Sequence, residues 1–165
     1  MADSAALPAL EAEDLSVELS EEVLTVLAPD ELPFLSDAVQ DFRAGRIPDP
    51  GSKTRDEPLG FGIELSLLAP YVLAVMPSVI NFLADIFAES AKEEAVTALS
   101  SLIRRLFRRR GAASETSVRL TTEQGRRVRS VTYERAVTVG LGKKRAALLA
   151  DAVVGSLSIA SSDER

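Results

Sequence analysis

Between Leu65 and Ala84 the chain runs for 20 consecutive positions without a charge, LSLLAPYVLAVMPSVINFLA. Any fold must either bury this run in protein or place it in lipid, because 20 apolar residues are also enough to cross a bilayer. Ten of the positions are Leu, Ile, Val or Phe, together worth roughly -3 to -6 kcal/mol on an insertion scale of about -0.3 to -0.6 each. Pro70, Pro77, Asn81, Ser66 and Ser78 oppose insertion, and a proline in a helix interior alone costs about 3 kcal/mol. The terms nearly cancel, so a spanning helix is compatible with the length but not indicated. The prolines instead suggest two helices, one from about Ile63 to Met76 and a second beginning at Pro77.

From Pro77 the residues Ile80, Leu83, Phe87, Ala91, Ala95, Ala98, Leu102 and Leu106 recur at steps of three or four. Asp85, Glu89, Lys92 and Glu93 fall on other faces, which is the pattern of a long amphipathic helix. It is expected to end in IRRLFRRRG, where Arg108, Arg109 and Arg110 complement the C-terminal dipole and Gly111 supplies a cap.

Charge is distributed unevenly around this core candidate. Residues 1–57 hold 14 acids and 4 bases, whereas residues 104–145 hold 3 acids and 13 bases, within a net charge of -6. Such asymmetry points to an interaction surface. The two regions can also lie near one another in a single molecule, where they would compensate each other locally.

The acidic N-terminal arm, residues 1–44, has no base before Arg43 and therefore lacks the basic region of a signal peptide. Ser20 is expected to cap a short helix that Pro29 stops. Asp30 is expected to cap a second, from Glu31 to about Ala44, with Leu32, Leu35, Val39 and Phe42 on one stripe. Residues 45–60, GRIPDPGSKTRDEPLG, have linker composition, and a boundary is placed there. Residues 61–110 form the hydrophobic and amphipathic helical segment. Residues 111–165 read as a basic C-terminal helical hairpin: one helix from Thr122 to Thr138, a Gly140–Gly142 turn, and a final helix with Ala146, Leu149, Val153 and Leu157 buried. Val131, Tyr133, Val137 and Val139 also alternate as a strand would, so a strand is the competing reading of that first element. The fold class expected is all-α.

The chain contains no His, Cys or Trp, which removes the commonest general base, thiolate nucleophiles, disulfides and the usual zinc ligands. GLGKKR has the glycines of a phosphate loop but neither its spacing nor a preceding strand, and is read as a helix–helix turn. No catalytic residue, cofactor site or metal site is assigned, and no enzymatic activity is expected.

Two sets of residues carry the functional expectation. Leu67, Leu68, Val72, Leu73, Ile80, Leu83 and Phe87 would supply apolar contact. Arg104, Arg105, Arg108, Arg109 and Arg110, interleaved with Ile103, Leu106 and Phe107, would engage phosphate headgroups or an acidic partner, since a guanidinium fork donates two hydrogen bonds at once. The leading expectation is a non-enzymatic accessory or adaptor protein that associates with a membrane surface or a larger assembly through these groups. The alternative is a soluble helical interaction module, partner-binding or homo-oligomeric, in which the apolar stripe is the core or an oligomer seam and the acidic arm masks the basic region. An anionic membrane is a candidate partner, nucleic acid a poor one, and no small-molecule substrate is inferred. A cytoplasmic location, with or without membrane attachment, is expected.

Overall fold

The first helix begins where Pro8 fixes an extended backbone (φ -50°, ψ 137°) and frees its carbonyl to accept from Ala12 N. In the computed structural model, residues 8–46, 48, 67–90, 101, 103–104 and 119–157 are described. They comprise five α-helices and a 3-10 turn: α1 (Ala9–Leu27), the turn Pro29–Phe34, α2 (Leu35–Arg43), α3 (Ala69–Ser90), α4 (Thr122–Thr138) and α5 (Lys143–Ser156). No strand occurs among the described residues, and the all-α expectation holds.

Pro29 ends α1 as expected, forcing Ala28 out of the helical region (φ -150°, ψ 68°). The start of α1 differs from expectation. Ser20 is not a cap; it is buried inside a 19-residue helix that reaches back to Ala9. Ser16 and Ser20 occupy positions on the buried face because each hydroxyl donates to a carbonyl one turn earlier, Ser16 Oγ to Ala12 O (2.7 Å) and Ser20 Oγ to Ser16 O (2.6 Å). Their polarity is thereby satisfied without an external partner. Downstream, the expected second helix is divided: Asp30 makes no cap, and the 3-10 turn containing Pro33 precedes α2. Arg43 on α2 closes the pair by reaching Glu13 (3.1 Å) and Asp14 (3.2 Å) on α1.

Helix α3 is continuous through Pro77, where two helices were expected. Pro77 removes one backbone hydrogen bond and crowds the preceding turn, a cost of about 3 kcal/mol. On either side, Val72, Leu73, Val75, Met76, Val79, Ile80 and Leu83 are fully buried. At about 1.5–3 kcal/mol each, their burial exceeds that cost several times over. Five consecutive buried residues, Val72 to Met76, mean that α3 is covered on all sides over these turns, whereas Asn81, Asp85, Ala88 and Glu89 leave one face of its second half exposed. α1, α2 and α4 all pack on it, and α5 joins α4 to α1.

Thr122–Thr138 is helical, not a strand. Its buried residues Gly125, Val128, Thr132 and Ala136 follow the helical period. A capping box opens it: Thr121 Oγ1 accepts from Gln124 N (3.1 Å), and Gln124 Oε1 accepts from Thr121 N (2.9 Å). Gly140, at φ +97°, closes it, with Leu141 N donating to Ala136 O and Gly140 N to Val137 O. The hairpin then turns at Gly142 into α5, as expected for GLGKKR. The linker, residues 45–60, lies outside the described residues except for Gly45, Arg46 and Pro48, and so does the expected helix beyond Ser90 apart from Ser101, Ile103 and Arg104, which are helical.

Candidate interaction surface

The turn Pro29–Phe34 places Glu31 at the start of α3. One carboxylate oxygen, Oε2, accepts from Leu68 N (2.6 Å) and Ala69 N (2.8 Å). These amides have no partner within their own helix, and an anion at a helix N-terminus is also favoured by the helix dipole. Glu31 therefore acts as a cap supplied from 37 residues away. It ties the acidic arm to the end of the central helix.

Next to this cap lies a shallow cleft of about 200 Å³ lined by Leu27, Ala28, Glu31, Leu68, Arg145 and Leu148. A second cleft, about 210 Å³, lies between α1, α2 and α3 and is lined by Ala9, Ala12, Glu13, Ser16, Phe42, Pro77 and Asn81. Both are smaller than the roughly 300–1,000 Å³ of ordinary small-molecule sites. Each contains one carboxylate, and Glu31 is already engaged by backbone amides. Among the described residues no group of three or more potential ligands could hold a metal ion.

Of the nominated apolar residues, Leu68, Val72, Leu73, Ile80, Leu83 and Phe87 are all buried in the core, while Leu67 is 40 % exposed. α3 does meet the length and apolarity needed to cross a membrane, with mean hydropathy 1.7 over Ala69–Glu89. Of the nominated arginines, Arg104 is described, and its Nε donates to Glu18 Oε2 on α1 at 2.8 Å. Arg105, Arg108, Arg109 and Arg110 lie outside the described residues.

The charge asymmetry persists in the folded molecule. Residues 8–46 carry ten acids and two bases, and residues 119–157 carry eight bases and three acids. On α4, Arg126 and Arg127 face Glu123, and Arg129 Nε donates to Asp151 on α5 at 2.7 Å. That hydrogen bond and the charge of Asp151 raise the Arg129 pKa above its ordinary value. The sequence did not single out Glu31, Leu148 or Leu27. Glu31 could not have been found by local pattern, because its partners are remote.

Comparison with protein-family models, with curated proteins and with solved structures finds no match. The class defined by the geometry is a helical protein built around a central apolar helix.

Proposed function

We propose that this chain is a non-enzymatic, soluble helical interaction module, with an acidic arm that covers part of its basic region. The observation that carries the reading is the burial of Leu68, Val72, Leu73, Ile80, Leu83 and Phe87 inside the molecule's own core. Lipid would accommodate these six side chains as well as the core does, but α3 could reach it only by parting from α1, α2 and α4, whose own buried residues, among them Leu15, Leu19, Val23 and Val128, would then meet water at about 1.5–3 kcal/mol each. Four such side chains, roughly 6–12 kcal/mol, match the entire stability of a typical domain, about 5–15 kcal/mol. Membrane entry by this route amounts to unfolding. The Arg104–Glu18 pair supports the masking part of the reading, since it brings a base from the Arg-rich segment onto α1.

The test is sedimentation of the detergent-free protein together with liposome flotation, with and without anionic lipid, at low and high salt. A defined monomer or oligomer that does not float is expected. Flotation that persists in high salt would overturn the reading in favour of insertion of α3, and flotation that needs anionic lipid and low salt would favour attachment through the arginines.

A further inference from the structure

We propose that the end of the bundle where α1 finishes and α3 and α5 begin is a docking surface for a second copy of this chain, through which the protein forms a weak symmetric dimer. This inference rests on the interaction-module reading and names its partner. Of the six large apolar side chains exposed among the described residues, four are Val26 in the last turn of α1, Phe34 at the end of the 3-10 turn, Leu67 just before α3 and Leu148 in the second turn of α5. Val26 is 71 % and Leu148 57 % exposed. The cleft beside the Glu31 cap takes its lining from all four of these segments, so they meet at one place. Val26 and Leu67 are chain neighbours of lining residues, and Phe34 follows Glu31 by three residues, which puts both on one side of a 3-10 turn. Singly, exposed apolar side chains are ordinary. Gathered at one end of a bundle, they mark an association surface.

The charges around this end specify the occupant. The two ionised groups on the cleft lining, Glu31 and Arg145, are already engaged within the chain. The uncompensated charges lie beyond the lining, and their two signs are separated. Glu22, one helical turn before Val26, and Asp30 stand on the α1 side, whereas Lys143 and Lys144, the latter one turn before Leu148, stand on the α5 side. All four are exposed and make no ion pair among the described residues.

A partner of a single charge sign would be attracted to one side and repelled by the other. A second copy related by a twofold axis through the apolar patch brings acids onto bases on both sides at once, because the rotation sets α1 of each copy against α5 of the other. The contact closes on itself at two copies. A patch confined to one end of a bundle lies at the low end of interface sizes, so the dimer is weak and reversible.

Sedimentation equilibrium of the full chain without detergent, from low-micromolar to submillimolar concentration, measures the association. Leu148→Asp removes the apolar centre. Glu22→Lys/Asp30→Lys makes both sides basic, and Lys143→Glu/Lys144→Glu makes both acidic. Leu10→Asp, at an exposed apolar residue in the opposite end of α1, is the control. Far-UV circular dichroism and the urea midpoint check that each variant is folded. A monomer–dimer equilibrium is expected for the parent and for Leu10→Asp. Leu148→Asp and each charge variant alone are expected to raise the dissociation constant about tenfold or more, as loss of an interface anchor does. Mixed in equal amounts, the two charge variants are expected to recover a dimer containing one copy of each, which damage to the fold would not produce.

A monomer at every concentration, open-ended assembly beyond two copies, parental affinity in Leu148→Asp, or no recovery on mixing would each overturn the proposed surface. A monomer that does not float with liposomes would sink the dimer and leave the soluble-module reading standing, whereas salt-resistant flotation would remove that reading itself, so the two failures are distinguishable.

Discussion

Removing the carboxylate at residue 31 should destabilise a helix that begins 38 residues further along the chain. In Glu31→Ala, Leu68 N and Ala69 N lose the oxygen they share at 2.6 and 2.8 Å. Counted as two hydrogen bonds to a charged group, at about 1.5–3 kcal/mol each, the loss would be about 3–6 kcal/mol. That is an upper bound. Both donors share one oxygen, and Glu31 is only half-buried, so water reaches the freed amides. Replacement of a helix cap, about 0.5–2 kcal/mol, is the closer comparison, with the upper half favoured by the charge. A loss of about 1–2 kcal/mol is expected, or a fall of roughly 0.5–1 M in urea midpoint for a slope near 2 kcal/mol/M.

Urea unfolding followed at 222 nm measures the shift, and hydrogen exchange at Leu68 and Ala69 localises it. Glu31→Gln keeps an acceptor but not the charge, and should fall between Ala and the parent. Asp30→Ala is the control: the neighbouring carboxylate is exposed and makes no cap. If Glu31→Ala and Asp30→Ala have the same midpoint, and exchange at Leu68 is unchanged in both, the long-range cap contributes nothing and the reasoning fails.

Further outcomes can be checked by the same unfolding assay. Pro77→Ala should raise the midpoint, because it returns a hydrogen bond to Leu73 O in a helix that already exists; a lower midpoint would mean that the proline ring's packing outweighs the missing bond. Gly140→Ala should cost about 1–2 kcal/mol, since φ is +97° and a Cβ strains that conformation. A double-mutant cycle on Glu18 and Arg104 should give less than about 1 kcal/mol, declining with salt, because both side chains remain partly solvated.

Helical class and the C-terminal hairpin were legible because they depend on local pattern. Ala146, Leu149, Val153 and Leu157 recur at helical spacing and are buried, and Gly140 stands where the chain needs positive φ. Pro29 as a stop was legible for the same reason. The backward reach of α1 was not, since buried serines interrupt its apolar stripe and satisfy themselves by bonding one turn back. Nor was continuity through Pro77, where tertiary burial overrides a local penalty. The functional residues were harder still. A long apolar run has one signature whether it lies in lipid or in protein, so Leu73 and Ile80 could be nominated without knowing what covers them. Opposite charge in the two halves was visible, but the pairing of Arg104 with Glu18 arises only from the way α1 packs.

The central place of α3 also affects how the protein is made. Synthesis at about 5–20 residues per second delivers α1 and α2 several seconds before the helix that will cover Leu15, Leu19 and Val23. During that interval the nascent arm displays an apolar stripe with nothing of its own chain to close over it. Its ten carboxylates among residues 8–46 keep such a segment soluble through mutual repulsion. The same acidity that marks the finished surface thus protects the unfinished chain from self-association while it waits for its core.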